Sequence, residues 1–118
     1  MPEAKTIVVD EFSMAASLEE FKRANILRVT VGTNCPRGGD SGHGGRTVLI
    51  FEDGGGTDLR CGIDSASAAD SKRIELVLGG DSEFETLIEG LEFAAQTLRL
   101  LHSANVRSVR DPQQKPVA

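Results

Sequence analysis

Between Phe84 and Leu101, the residues Phe84, Leu87, Ile88, Leu91, Ala94, Ala95, Leu98 and Leu101 recur at three- and four-residue steps. That spacing returns to one side of an α-helix and to neither face of a strand. It therefore fixes a long amphipathic helix in the C-terminal part of the chain. Ser82 and Glu85 have the spacing of a capping box, and Asp81, Glu83 and Glu85 crowd the positive end of the helix dipole. Arg99 and His102 lie toward the negative end. From Ser103 the apolar pattern dissolves, which predicts a single domain over residues 1–102 and a disordered tail over residues 103–118.

The chain before this helix reads mostly as strands. Lys5 to Val9 is a β-branched run long enough for one of them. Ser17-Leu18-Glu19-Glu20 matches a capping box, and Leu18 and Phe21 lie three apart, so a short helix ending near Asn25 is expected. Ile26 to Val31 follows as a strand, with Leu27, Val29 and Val31 facing one side and Arg28 and Thr30 the other. Val48-Leu49-Ile50-Phe51 is apolar on both faces, the pattern of a central strand covered on each side. The turn signal Asp53-Gly54-Gly55-Gly56 leads to an expected strand from Asp58 to Ile63, then a polar loop from Asp64 to Ser71. Ile74, Leu76 and Leu78 mark the last strand, which Gly79-Gly80 ends.

Consecutive strands with short connections favour an antiparallel meander. The predicted fold is α+β and two-layered: four to five antiparallel strands, the long C-terminal helix packed on one face, and a short N-terminal helix. The doubly apolar strand needs cover on its second face. The short helix or a second copy of the chain would supply it, and the second case makes the protein a homodimer.

Composition narrows the function classes. The chain has 118 residues, near the commonest size of one domain, and a net charge of −5. An acidic chain lacks the lysines and arginines that displace counterions from nucleic acid, and five Phe without Trp or Tyr leave few base-stacking platforms. No nucleic acid is expected as a partner. No apolar run approaches the roughly 18 residues of a membrane helix, so no membrane partner is expected either. The start of the chain lacks the basic segment and cleavage site of a signal peptide, which places the protein in the cytoplasm. Cys35 and Cys61 are then free thiols, with no Cys-x-x-Cys spacing between them.

The segment most suggestive of a site runs from Asn34 to Arg46 and holds five glycines, Arg37, Asp40, Ser41, His43 and Arg46. Loops this long inside a compact domain tend to be functional or disordered, and glycine is costly unless the backbone bends sharply or something approaches it closely. Gly39-Asp40-Ser41-Gly42 resembles the segment around the nucleophile of chymotrypsin-like serine proteases. The resemblance ends with those four residues: no histidine precedes Ser41, and the triad's geometry, not the motif, defines that chemistry.

Three readings of the loop remain. Glycine N–H groups can form a concave nest for phosphate or carboxylate, with Arg37 and Arg46 as forked donors and Asp40, Ser41 and His43 beside them. Neither a Walker pattern nor Gly-x-Gly-x-x-Gly accompanies it, so no nucleotide cofactor is expected. A metal would take Cys35, Asp40 and His43, although their spacing matches no standard zinc pattern. In the third reading Asp40 and Ser41 bond their own backbone, Arg37 and Arg46 pair with nearby acids, and the loop is a self-bonded cap.

Gly32-Thr33-Asn34, the run from Gly38 to Thr47 and Gly55-Gly56-Thr57-Asp58 resemble a group of short, uncharacterised bacterial proteins. The resemblance covers the central third of the chain and the Gly-Gly-Asp start of the long helix. It implies a bacterial origin and brings no activity, cofactor or catalytic residue with it. The function expected is a small non-catalytic interaction or ligand-binding domain that uses loop 34–46. The alternative is a small enzyme acting on a phosphorylated or carboxylated ligand through His43 with Asp40 or Ser41.

Overall fold

A computed structural model of the chain describes residues 2–37, 44–62 and 69–110. The chain divides into two compact units, Met1–Phe84 and Glu85–Ala118. The first contains a five-stranded sheet made from β1 (Glu3–Val9), β2 (Phe12–Lys22), β3 (Ile26–Thr33), β4 (Arg46–Gly55) and β7 (Arg73–Gly79). Their spatial order is β1-β2-β3-β4-β7 and every pairing is antiparallel. A separate two-stranded ladder, β5 (Arg60–Cys61) with β6 (Ala69–Asp70), lies in the excursion between β4 and β7. The chain then enters one helix, α1 (Asp81–Arg110), which makes up nearly all of the described second unit. The class is α+β, and among the described residues no helix is long and apolar enough to cross a membrane.

The core lies on the face of the sheet that carries Met14, Ala16, Val48 and Ile50, with Ile7, Val9 and Phe12 packed against it. These positions alternate with outward ones along each strand, as the pleat requires. Burying each of the larger side chains stabilises by roughly 1.5–3 kcal/mol. Gly32 of β3 is paired with Ala16 and Val48, and a Cβ there would meet Ile7 Cδ1 at 2.9 Å and Ala16 Cβ at 3.0 Å. The small residue lets the inner strands close over that point. Val48 and Ile50 on one face and Leu49 on the other are 1%, 6% and 4% exposed, so β4 is the doubly covered inner strand its apolar run predicts.

Two expectations fail. The short helix over Ser17 to Asn25 is absent, because Ser17 to Lys22 continue β2. Met14, Ala16 and Leu18 form one side of a period-two pattern with Ser13, Ala15 and Ser17 on the other, and β2 bonds to neighbours along both edges. Leu18 and Phe21, three apart, lie on opposite faces of the sheet. The capping-box spacing at Ser17 is a coincidence of composition. The strand expected from Asp58 to Ile63 does not join the sheet either. Of its described residues, 58–62, only Arg60 and Cys61 are paired, with Asp70 and Ala69, while β4 takes β7 as its neighbour; Ile63 lies outside the described residues.

The helix also runs to Arg110, eight residues beyond His102, where the apolar pattern weakens. Its continuation needs no stripe: Ser103 to Arg110 contains neither Gly nor Pro. At the end of the sheet that carries Arg46, Asp10 and Glu11 turn β1 into β2 with φ of 49° and 69°. Positive φ at both positions is the type I′ turn, one of the two-residue hairpin turns that follow the twist of their strands.

Candidate functional site

Loop 34–46 leaves β3 at Thr33 and returns into β4 at Arg46. Asp40, Ser41 and His43 lie outside the described residues, and the structure of its two ends is as follows. Asn34 N donates to Arg46 O at 3.2 Å, while Arg46 N donates to Asn34 Oδ1 at 2.6 Å. Thr33 Oγ1 donates to Arg46 O at 3.2 Å, accepts from Cys35 N at 3.1 Å, and lies 3.0 Å from Thr47 Oγ1. The loop is thus closed at its base by side chains as well as backbone. The Cys35–Pro36 peptide bond is cis.

The turn into α1 completes the closure. Gly80 N donates to Gly45 O at 2.9 Å, and Cys35 Sγ lies 3.8 Å from Gly80 O as its donor. Asp81 Oδ1 accepts Gly45 N at 3.0 Å and Arg37 N at 3.3 Å. Backbone N–H groups from the two arms of the loop therefore converge on one carboxylate. The two donors stand on opposite arms rather than in the succession of a nest, and the anion they hold is a side chain of the same chain. Gly45 is indispensable to it: a Cβ there would stand 2.7 Å from both Asn34 Oδ1 and Cys35 Sγ.

The two arginines have different roles. Arg46 is largely buried and donates through Nε to Asp10 Oδ2 at 2.9 Å and through Nη1 to Gly44 O at 2.9 Å and Gly45 O at 3.3 Å. It straps the loop to the β1–β2 turn. Arg37 is exposed, and its guanidinium lies 4.7 Å from the centre of the Phe12 ring, over which the Arg46 guanidinium also lies at 5.2 Å. Two cations at one ring draw on its quadrupole and hold the loop against the start of β2.

Asn34 holds the one buried side-chain polar atom, among the described residues, that finds no partner. Its Oδ1 accepts the short bond from Arg46 N, which fixes the amide's orientation, so Nδ2 is a buried donor without an acceptor. Such atoms are rare because an unmet donor keeps the cost of its desolvation.

Of the metal candidates, Cys35 is a half-buried free thiol beside Thr47 Oγ1 at 3.7 Å, and Asp40 and His43 lie outside the described residues. Among the described residues no three His, Cys, Asp or Glu side chains gather as a metal site. A concavity of about 300 Å³, whose lining includes Asp53, Thr57, Asp58, Asp70, Ser71 and Lys72, sits beside β5 and β6. Its acids are engaged: Asp58 and Asp70 with Arg60, Asp53 with Lys72.

The sequence identifies Arg37 and Arg46 as residues of the loop and misses the partners that hold it. Asp81 reads as a helix-dipole residue, while Asp10 and Phe12 fall between the expected strand Lys5–Val9 and the expected helix and carry no assignment. Their meeting depends on pairings 25 to 44 positions apart that no local pattern carries. Comparison with known proteins gave no match to a family model, a curated protein or a solved structure.

Proposed function

We propose that this chain is a non-catalytic binding module whose glycine loop 34–46 takes an anionic group of its ligand. The observation that carries the reading is Asn34 Nδ2, a buried donor held in fixed orientation at the base of the loop without an acceptor. A carboxylate or phosphate oxygen is the acceptor such a donor fits, and it makes a stronger bond than a neutral one. The exposed Arg37 guanidinium adds a cation at the same end of the loop, where it is steadied by Phe12. The clasp on Asp81 supports binding without chemistry: it spends the loop's order on holding a shape.

Inorganic phosphate is the test ligand. Titrated into isotope-labelled protein, it is expected to shift the Asn34 side-chain amide and the backbone amides around Arg37, and to shift them less in Arg37→Ala and Asn34→Ala. Saturable phosphate binding that both variants leave intact would reject the site. Turnover of a phosphorylated or carboxylated compound that is lost in His43→Ala would instead favour the enzyme.

A further inference from the structure

Helix α1 exposes apolar side chains on more than one side. Phe93 and Leu100 are 68% and 72% exposed and lie seven residues apart, two turns along one side of the helix. At 100° per residue that side is opposite the stripe of Phe84, Leu87, Leu91 and Leu98, in which Leu98 is itself 67% exposed. Single exposed apolar residues are ordinary, but a helix apolar on two sides is one that something covers.

The charges on the helix say what covers it. Residues 81–92 contain five acids and no base, and residues 93–110 contain Arg99, His102, Arg107 and Arg110 and no acid. Complementing the helix dipole accounts for Asp81 and Glu83, since that effect falls off within the first and last turns. Glu89, Glu92 and Arg99 lie too far inside for it. Nor do these charges support the helix internally, because pairing at steps of three or four needs opposite signs to be interspersed. Among the described residues Glu85, Glu89, Glu92, Arg99 and Arg107 form no ion pair.

We infer that a second copy of this chain covers α1, with the two helices antiparallel about a two-fold axis near Gln96. A two-fold contact is self-complementary, so each favourable apposition occurs twice. Phe93 of one copy then packs near Leu100 of the other, and the acidic half of each helix lies along the basic half of its partner. Parallel helices would set like charge against like. The apolar side chains supply the affinity and the segregated charges choose the orientation.

Sedimentation of the full chain across micromolar to submillimolar concentrations tests this directly. A dimer is expected. Glu89→Lys with Glu92→Lys leaves Asp81, Glu83 and Glu85 as the only acids of the helix, and Arg99→Glu with Arg107→Glu leaves His102 and Arg110 as its only basic residues. Each double variant is expected to dimerise at least an order of magnitude more weakly than the unaltered chain, and a mixture of the two to form heterodimers. Far-UV circular dichroism of each variant reports whether the helix is retained, and a variant that loses it is replaced by its single substitutions. An unaltered chain that stays monomeric overturns the inference. So does a dimer that both double variants leave at full strength, as a parallel pair or another interface would.

Discussion

At the scale of single residues the loop is organised by Asp81. Gly45 is buried, its N–H points at Asp81 Oδ1, and Asn34 and Cys35 leave no room for a side chain on it. Asp81→Ala leaves that buried N–H without its acceptor and frees the N–H of Arg37 as well, a loss of roughly 1–3 kcal/mol. Asp81→Asn keeps an acceptor oxygen in place and should lose less. Urea denaturation of the two variants checks the order. Equal stability of Asp81→Ala and the unaltered chain would mean that the clasp contributes nothing to folding. The reason this centre is hidden in the sequence is physical. An aspartate in the first turn of a helix has a sufficient local explanation in the dipole, so nothing signals its long-range bonds.

At the scale of elements, what could be read from sequence followed the strength of each periodic pattern. The stripe from Phe84 to Leu101 is long and the run Val48 to Phe51 is apolar on both faces, and both formed as expected. In β2 the alternation of Met14, Ala16 and Leu18 is short and is blurred by Ala15 and Phe21 on the opposite face, so a chance Ser17–Glu20 spacing outweighed it. The turn signal Asp53-Gly54-Gly55-Gly56 marks the place only roughly, since β4 runs through Gly55 and the chain bends at Gly56, with Asp53 closing the bend. Its Oδ1 accepts Gly55 N at 2.8 Å and Thr57 N at 3.1 Å, an aspartate bonding its own downstream backbone. Those two backbone bonds, with Lys72 nearby, hold the Asp53 carboxyl below the ordinary aspartate value of 3.8.

A carboxylate whose folded value is depressed stabilises the fold fully above its unfolded value, and the contribution is lost as pH falls through the folded one. The stability advantage of the unaltered chain over Asp53→Asn should therefore be largest at neutral pH and shrink below about pH 4. Denaturation of both proteins across that range measures it, and an advantage that ignores pH would assign the turn's stability to shape alone.

For the whole molecule, the pairing order sets where the structure is firmest. β3 and β4 have a strand on both sides, and β4 also carries Val48, Leu49 and Ile50 buried on two faces. β1 and β7 are edges with one neighbour each, and β5 with β6 is a ladder of two residue pairs. Local opening is cheapest where few groups must separate, so amide exchange grades a fold by its connectivity. The slowest-exchanging amides are expected at Thr30, Val48 and Ile50, with β1 and β7 less protected and Arg60 and Cys61 close to unprotected. The base of loop 34–46 stands apart from that gradient. Gly45 and Arg46 lie where strand pairing ends, yet their N–H groups are bonded to Asp81 and Asn34 side chains. Protection at Gly45 and Arg46 that approaches the β4 level, and falls in Asp81→Ala while Ile50 keeps its own, would locate the clasp as a unit separate from the sheet. Exchange at Gly45 and Arg46 as fast as at Cys61 would show that the clasp opens freely, and the binding site would then have to form with its ligand.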